Sequence, residues 1–98
     1  MAQIVDVTVE EQVKDAMFGV VKAWGTIHVV IPCAGVNWPV LTIPRKGLLD
    51  FKRYKKVLDI NLMGGIYVAK YASIIMAKNK SEENGVIVFV SSIAGTEG

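Results

Sequence analysis

"GVIVFVSSIAG", residues 85–95, is an unbroken apolar run that stops at two serines and a turn of small residues. A run of this kind without polar alternation reads as a strand covered on both faces, as strands of a parallel sheet are. A second stretch has the same form: "TIHVVIPCAG", residues 26–35, stays largely apolar up to Pro32 and ends at Gly35.

Toward the N-terminus, "QIVDV", residues 3–7, reads as a short β-branched strand. It leads directly into "TVEEQVKDAMFGVVKAWG", residues 8–25, where Thr8 and Glu11 have the spacing of a capping box. Val13, Met17, Val20, Val21 and Trp24 then recur at helical intervals, and Gly25 sits where a helix often stops. Residues 36–50, "VNWPVLTIPRKGLLD", carry two prolines and a glycine and predict a loop with a short helix at its end. A long helix follows from about Phe51 to Lys78, and "KSEENG" makes a turn. The long helix has a polar stripe through Lys52, Lys55, Lys56 and Asp59. Beyond Ile60 it is apolar on nearly every side, the pattern of a helix buried on two faces. Its middle, "LDINLMGGIYVAK" (residues 58–70), is unusual in holding Asn61 together with Gly64 and Gly65, each glycine costing roughly 1 kcal/mol against alanine.

Composition narrows the classes. Ninety-eight residues suffice for one small domain, and a net charge of +2 from 11 basic and 9 acidic side chains favours no particular partner. A nucleic-acid reader clusters basic residues beside stacking aromatics. Here Lys52, Arg53, Lys55 and Lys56 read as a solvated helix face, so no nucleic-acid partner is expected. One cysteine, Cys33, cannot form an internal disulfide and suits a reducing compartment. The opening "MAQIVDV" lacks the parts of a secretory signal, and the apolar stretch from Ile60 to Ala77 is interrupted by Lys70 and Asn61 and falls short of the ~20 residues of a bilayer span. The expectation is an intracellular chain, mitochondrial or cytoplasmic, with no membrane partner. Hydrophobic residues make up 52% of the chain and nine glycines add to them, above the ~45–50% apolar share of ordinary soluble domains. Such a short chain is expected to have partners for its surplus apolar surface.

Strand, helix, strand, helix, strand, with continuous apolar strands, is the order of an α/β parallel sheet covered by helices. Ligands of such sheets collect outside the carboxyl ends of the strands, which directs attention to Asp6 and Val7, to Cys33, Ala34 and Gly35, and to Ser91 and Ser92. No metal-ligand cluster is evident.

At these positions the chain resembles a short-chain dehydrogenase/reductase. "DVTVEEQV", "PCAG", "LDINLMG" and "GVIVFVSSIAG" occur in the family's order and intervals across nearly all 98 residues. The longer runs at 48–68 and 83–98, with a Cys in the Asn-Asn-Ala-Gly position, are most similar to type-2 3-hydroxyacyl-CoA dehydrogenases. The resemblance implies a doubly wound, Rossmann-type parallel sheet, incomplete here: strands three to five with their helices, a partial dinucleotide-binding domain over residues 1–98 without the first strand-helix units and the C-terminal part.

It also implies roles. Asp6 would accept from the adenine amino group with the Val7 backbone beside it, and Cys33, Ala34 and Gly35 would form the turn under the adenine ribose. Ser92 would be the catalytic serine, hydrogen-bonded to the reacting oxygen. Asn61 would sit at a helix distortion that frees a carbonyl for a water in the proton relay. Plainer readings stand beside these: Asp6 flanking a helix start, Cys33 as a small buried hydrophobe, the serines as turn residues, and Asn61 as one satisfied amide; Trp38, in a loop that could line the substrate side, either covers an apolar group there or is local packing. Gly64 and Gly65 would allow close packing of the helix.

The family's Gly-rich turn and its Y-x-x-x-K pair do not occur in the sequence, and "YVAK" at 67–70 has a different spacing. The implied activity is hydride transfer between a secondary alcohol or ketone, in particular a 3-hydroxyacyl thioester, and NAD, with NADP left open, in a homo-oligomer. The alternative is a truncated, inactive module that oligomerises through its buried helix.

Overall fold

The computed structural model describes residues 1–39, 47, 50–80 and 82–97. Helix α1 spans Glu10–Trp24, β1 Val29–Val30, α2 Phe51–Leu58, a π-helical turn Asp59–Met63, α3 Gly64–Met76, β2 Val86–Ile87 and α4 Ala94–Glu97. Strands β1 and β2 pair in parallel, Val29 opposite Val86 and Val30 opposite Ile87. The Val86 N–H donates to the His28 carbonyl and the Val88 N–H to that of Val30, each at 2.9 Å. An α/β parallel sheet with its crossover helix is therefore present, with a shorter ladder than the apolar runs predict.

Residues 3–6 form no strand and Val7 already belongs to a turn, which corrects the first predicted strand: among the described residues no strand pairs with them. The capping box is also corrected. Asp6 lies two residues before Thr8, and its Oδ1 accepts from both the Thr8 N–H (2.9 Å) and the Thr8 hydroxyl (2.7 Å). The Thr8 hydroxyl thus faces Asp6 as a donor instead of accepting from the first turn of α1, which begins after Val9 without a side-chain cap. Gln12 adds to this turn by accepting from the Asp6 N–H at 2.8 Å. Gly25 closes α1 as expected, at φ 94°, where its N–H reaches the Val21 carbonyl; only glycine adopts that φ without strain.

The core lies between α1, α3 and one side of the strand pair. Ile27, Ala72, Ile75 and Met76 are buried, with Met17, Val20, Val21, Val30 and Ile87 packed around them. At the other end of the interface the Glu10 carboxylate accepts from Lys70 Nζ at 2.6 Å and from the Tyr71 hydroxyl at 2.9 Å. Asn79, beyond α3, donates to the carbonyls of Ile27 (2.9 Å) and Asn84 (2.8 Å) and accepts from the Thr26 hydroxyl, tying the turn after α1 to the end of α3.

The long helix is buried on one face rather than two. Gly64, Tyr71, Ala72, Ile75 and Met76 are covered, whereas Leu58, Leu62 and Ile66 are 43%, 53% and 47% exposed. Likewise Val29, Val86 and Val88 are open on the sheet, because among the described residues helices cover one side only. The Cα radius of gyration, 16.6 Å, exceeds the ~13 Å of a compact domain of this size. Asp50 caps α2 by accepting from the Lys52 and Arg53 N–H groups, and the basic stripe of α2 is solvated. Most of the predicted loop at 36–50, including the short helix at its end, lies outside the described residues. No helix among the described residues is long and apolar enough to cross a membrane.

Candidate functional site

The chain leaving β1 and the chain leaving β2 emerge at the same end of the sheet, as a parallel pair must. Between them and the π turn lies a cleft of about 580 Å³, whose lining includes Cys33, Ala34, Gly35, Asn61 and Ser92. Five of the seven residues singled out from the sequence are thus brought together.

Asn61 organises this cleft. Its Oδ1 accepts from the Val36 N–H at 2.8 Å and its Nδ2 donates to the Val36 carbonyl at 2.8 Å. The segment after Cys33-Ala34-Gly35 is therefore held against the long helix although no strand pairs with it there. Asn61 can reach Val36 because the helix is locally wound as a π turn, with the Gly64 N–H bonded back to the Asp59 carbonyl five residues earlier. Single π turns inside α-helices interrupt the regular ladder and recur at functional sites. Gly64 then meets Val7: a β-carbon there would stand 2.8 Å from Val7 Cγ2.

Ser92 lies beyond β2. Its Oγ accepts from the Ala94 N–H at 3.2 Å, at the start of α4, which leaves the hydroxyl proton for an acceptor in the cleft. Ser91 shares the lining, and the Cys33 thiol is free and exposed.

Asp6 and Val7 do not line this cleft. They lie next to it: Val7 packs on Gly64 directly after the π turn, and the Asp6 carboxylate feels the Lys56 ammonium of α2. The hydrogen bond from the Thr8 hydroxyl, followed by that from its N–H, holds Asp6 below the ordinary carboxylate range. Both Thr8 bonds fall on Oδ1, so among the described residues Oδ2 has no hydrogen-bond partner.

Sequence reasoning missed two contributors. Val36 acts through its main chain, which no side-chain pattern reveals. Lys56 lies over the Trp38 ring, 5.5 Å from its centroid, and pins the start of the following loop to α2; the shared polar stripe of Lys52, Lys55 and Lys56 hid this one contact. No group of three or more His, Cys, Asp or Glu among the described residues could hold a metal.

Known proteins resemble this chain in sequence and in fold. The family model for short chain dehydrogenases matches residues 1–98. The chain is 36% identical over 95 residues to (+)-borneol dehydrogenase 2 of Salvia officinalis, covering 95% of this chain and 31% of that protein. It is 35% identical over 101 residues to human 3-hydroxyacyl-CoA dehydrogenase type-2, covering 95% and 38%. Among solved structures, ElxO with NADP bound superposes with a TM-score of 0.79 at 33% identity, over 96% of this chain and 36% of that one. The chain thus spans about a third of the length of these relatives. A parallel strand pair, a crossover helix with a π turn and a family match over the whole length place the chain in the short-chain dehydrogenase family.

Proposed function

We propose that these 98 residues form the adenosine-binding and serine-bearing part of an NAD-dependent oxidoreductase that interconverts a secondary alcohol and a ketone, specifically at the 3-position of an acyl thioester. The observation that carries this reading is the shared cleft of Cys33, Ala34, Gly35, Asn61 and Ser92, with Asn61 fixing the backbone at Val36.

The residues suit a dinucleotide. Gly35 leaves its backbone open toward the cleft, and Asp6 Oδ2, beside the cleft, offers an acceptor to an adenine amino group. When bound, the nicotinamide supplies hydride transfer. In this assignment Ser92 donates a hydrogen bond to the substrate oxygen, so charge developing there meets a donor held in place. Asn61 keeps the Cys33-Ala34-Gly35 turn in position, and the interrupted ladder at 59–63 offers a carbonyl to a water that passes protons. The acid-base tyrosine and lysine that the family resemblance implies are not among these residues. The thioester substrate and NAD are inferred from likeness to the 3-hydroxyacyl-CoA dehydrogenases, whereas ElxO, with NADP bound, supports the alternative cofactor.

Calorimetric titration of NAD and NADP, together with turnover of a 3-hydroxybutyryl thioester, tests the proposal on a protein that carries this segment with the remainder of the domain. Binding of NAD with thioester oxidation is expected; failure to bind either dinucleotide would overturn it. A second reading, an inactive module that pairs through its long helix, draws on the exposed stripe of Leu58, Leu62 and Ile66. That reading requires a dimer of the 98-residue chain that binds no dinucleotide.

A further inference from the structure

A separate cavity of about 470 Å³ lies at the opposite end of the sheet, where the strands begin. Its floor is apolar: Phe18 and Val21 come from α1, and Ile74 and Ile75 from α3. Phe18 is held in place by an edge-on contact with Tyr71, ring centroids 6.2 Å apart. The volume falls within the ~300–1,000 Å³ of small-molecule sites, which are typically apolar with a few convergent polar groups.

The charged groups here carry one sign. Lys78 and Lys80 stand at the edge beside the His28 ring, and no carboxylate is among the described lining residues. Two helix C-termini meet nearby and would by themselves favour a cation, but several of their carbonyls are already satisfied. Val21 accepts from the Gly25 N–H, Ser73 from Ala77, Ile75 from Lys78, Met76 from Asn79, and Ala77 from the Asn84 side chain. The lysines therefore set the local charge. Asn79 closes the end wall with its amide fully engaged by Thr26, Ile27 and Asn84, so the wall is built before any ligand arrives.

We infer that this cavity binds a single-chain amphiphile with a carboxylate head, its alkyl chain lying along Phe18 and Ile74 and its head between Lys78 and Lys80. A neutral apolar molecule would leave the two ammonium groups without a role. The lysine stems extend the apolar lining while their charges stay at the mouth. The inference stands apart from the dehydrogenase reading, since none of its residues lines the Cys33–Ser92 cleft.

The test is calorimetry and methyl NMR on the full chain with sodium decanoate below its micelle concentration, compared with 1-decanol and decyltrimethylammonium. Decanoate is expected to bind saturably, at least about tenfold tighter than either comparison ligand, with shifts at Val21, Ile74 and Ile75. In the doubly substituted variant Lys78→Gln, Lys80→Gln, decanoate affinity falls about tenfold while that for decanol is unchanged. Both lysines are exposed, so the fold tolerates the change. Equal binding of decanol and decanoate, preference for the ammonium, shifts confined to residues around Ser92, or no saturable binding would each overturn the inference, and the ligand comparison does so without any variant.

Discussion

Asn61 holds Val36 by both ends of its amide, at 2.8 Å each, one accepting and the other donating. It offers the main chain the donor and acceptor that a neighbouring strand would provide. Each such bond contributes roughly 0.5–1.5 kcal/mol net. Because Asn61 is exposed and water can replace it, Asn61→Ala is expected to lower stability by about 1–2 kcal/mol. The midpoint in urea should fall with little change in slope. Asn61→Asp turns a carboxylate oxygen toward the Val36 carbonyl and should be worse than Ala at neutral pH, recovering as the acid protonates. An Asp variant whose stability relative to Ala stays constant from about pH 7 to pH 3 would contradict this.

The two adjacent glycines should answer substitution with opposite signs. At Gly64 a β-carbon would lie 2.8 Å from Val7 Cγ2 and 3.0 Å from its Cβ, and a β-branched side chain stiff at χ1 has little room to yield. Overpacking of about 1–3 kcal/mol then meets a helix-propensity gain of about 1 kcal/mol, so Gly64→Ala should destabilise. At Gly65 the nearest atom is Phe89 Cε1 at 3.5 Å, an ordinary contact, and Gly65→Ala should stabilise by up to about 1 kcal/mol. Adding Val7→Ala should remove most of the Gly64→Ala penalty in a double-mutant cycle.

The tie between α1 and α3 carries a pH signature. Hydrogen bonds from Lys70 and then from the Tyr71 hydroxyl hold Glu10 below its ordinary value of 4.5, and the bond to Glu10 raises Lys70 above 10.5. Burial, followed by the same carboxylate, raises Tyr71. A lowered acid contributes fully above its unfolded value and loses that contribution as pH falls through the folded one. A raised base contributes fully below its unfolded value and loses the contribution as pH rises through the folded one. The tie is complete at neutral pH and weakens at both ends. Its charges are half exposed, so the effect is modest and screened by salt. Thermal midpoints of wild type and Glu10→Gln should converge as pH drops below 4.5; a gap of constant size would refute the assignment.

Ser92 and Ser91 separate chemistry from turn structure. Ser92→Ala removes the Oγ that accepts from Ala94, a capping loss of about 1 kcal/mol. In a protein carrying the whole domain it should also reduce kcat by about 10²–10³, the effect of deleting one donor to a developing oxyanion. Ser91→Ala should leave kcat within a few fold. Comparable losses in both variants would remove Ser92 from the proposed role.

The parallel strands and the long helix were legible in the residues because apolar runs and helical spacing report the environment a segment suits. They do not report whether a neighbour is present. Residues 3–7 therefore read as a strand yet pair with no strand among the described residues, and the exposed sides of Val29, Leu62 and Ile66 read as buried. At Thr8 the capping-box spacing misplaced the helix start by one residue: Val9 stands at the N-cap, and the Thr8 hydroxyl donates to Asp6, two residues away. The cleft was legible in its side chains, Cys33, Asn61 and Ser92, through resemblance rather than periodicity. Val36 was not, because what Asn61 grips there is backbone.

The winding at 59–63 also determines where the long helix can change length. A π turn takes in one surplus residue while the flanking α-helices keep their alignment. Removing one residue from Asp59–Met63 would restore an uninterrupted α-helix that still delivers Ala72, Ile75 and Met76 to the core, and only the grip on Val36 would go. The same deletion at Ala69 would swing those side chains by about 100° around the axis and away from their contacts. The helix thus has one splice point, and it coincides with the turn that shapes the cleft.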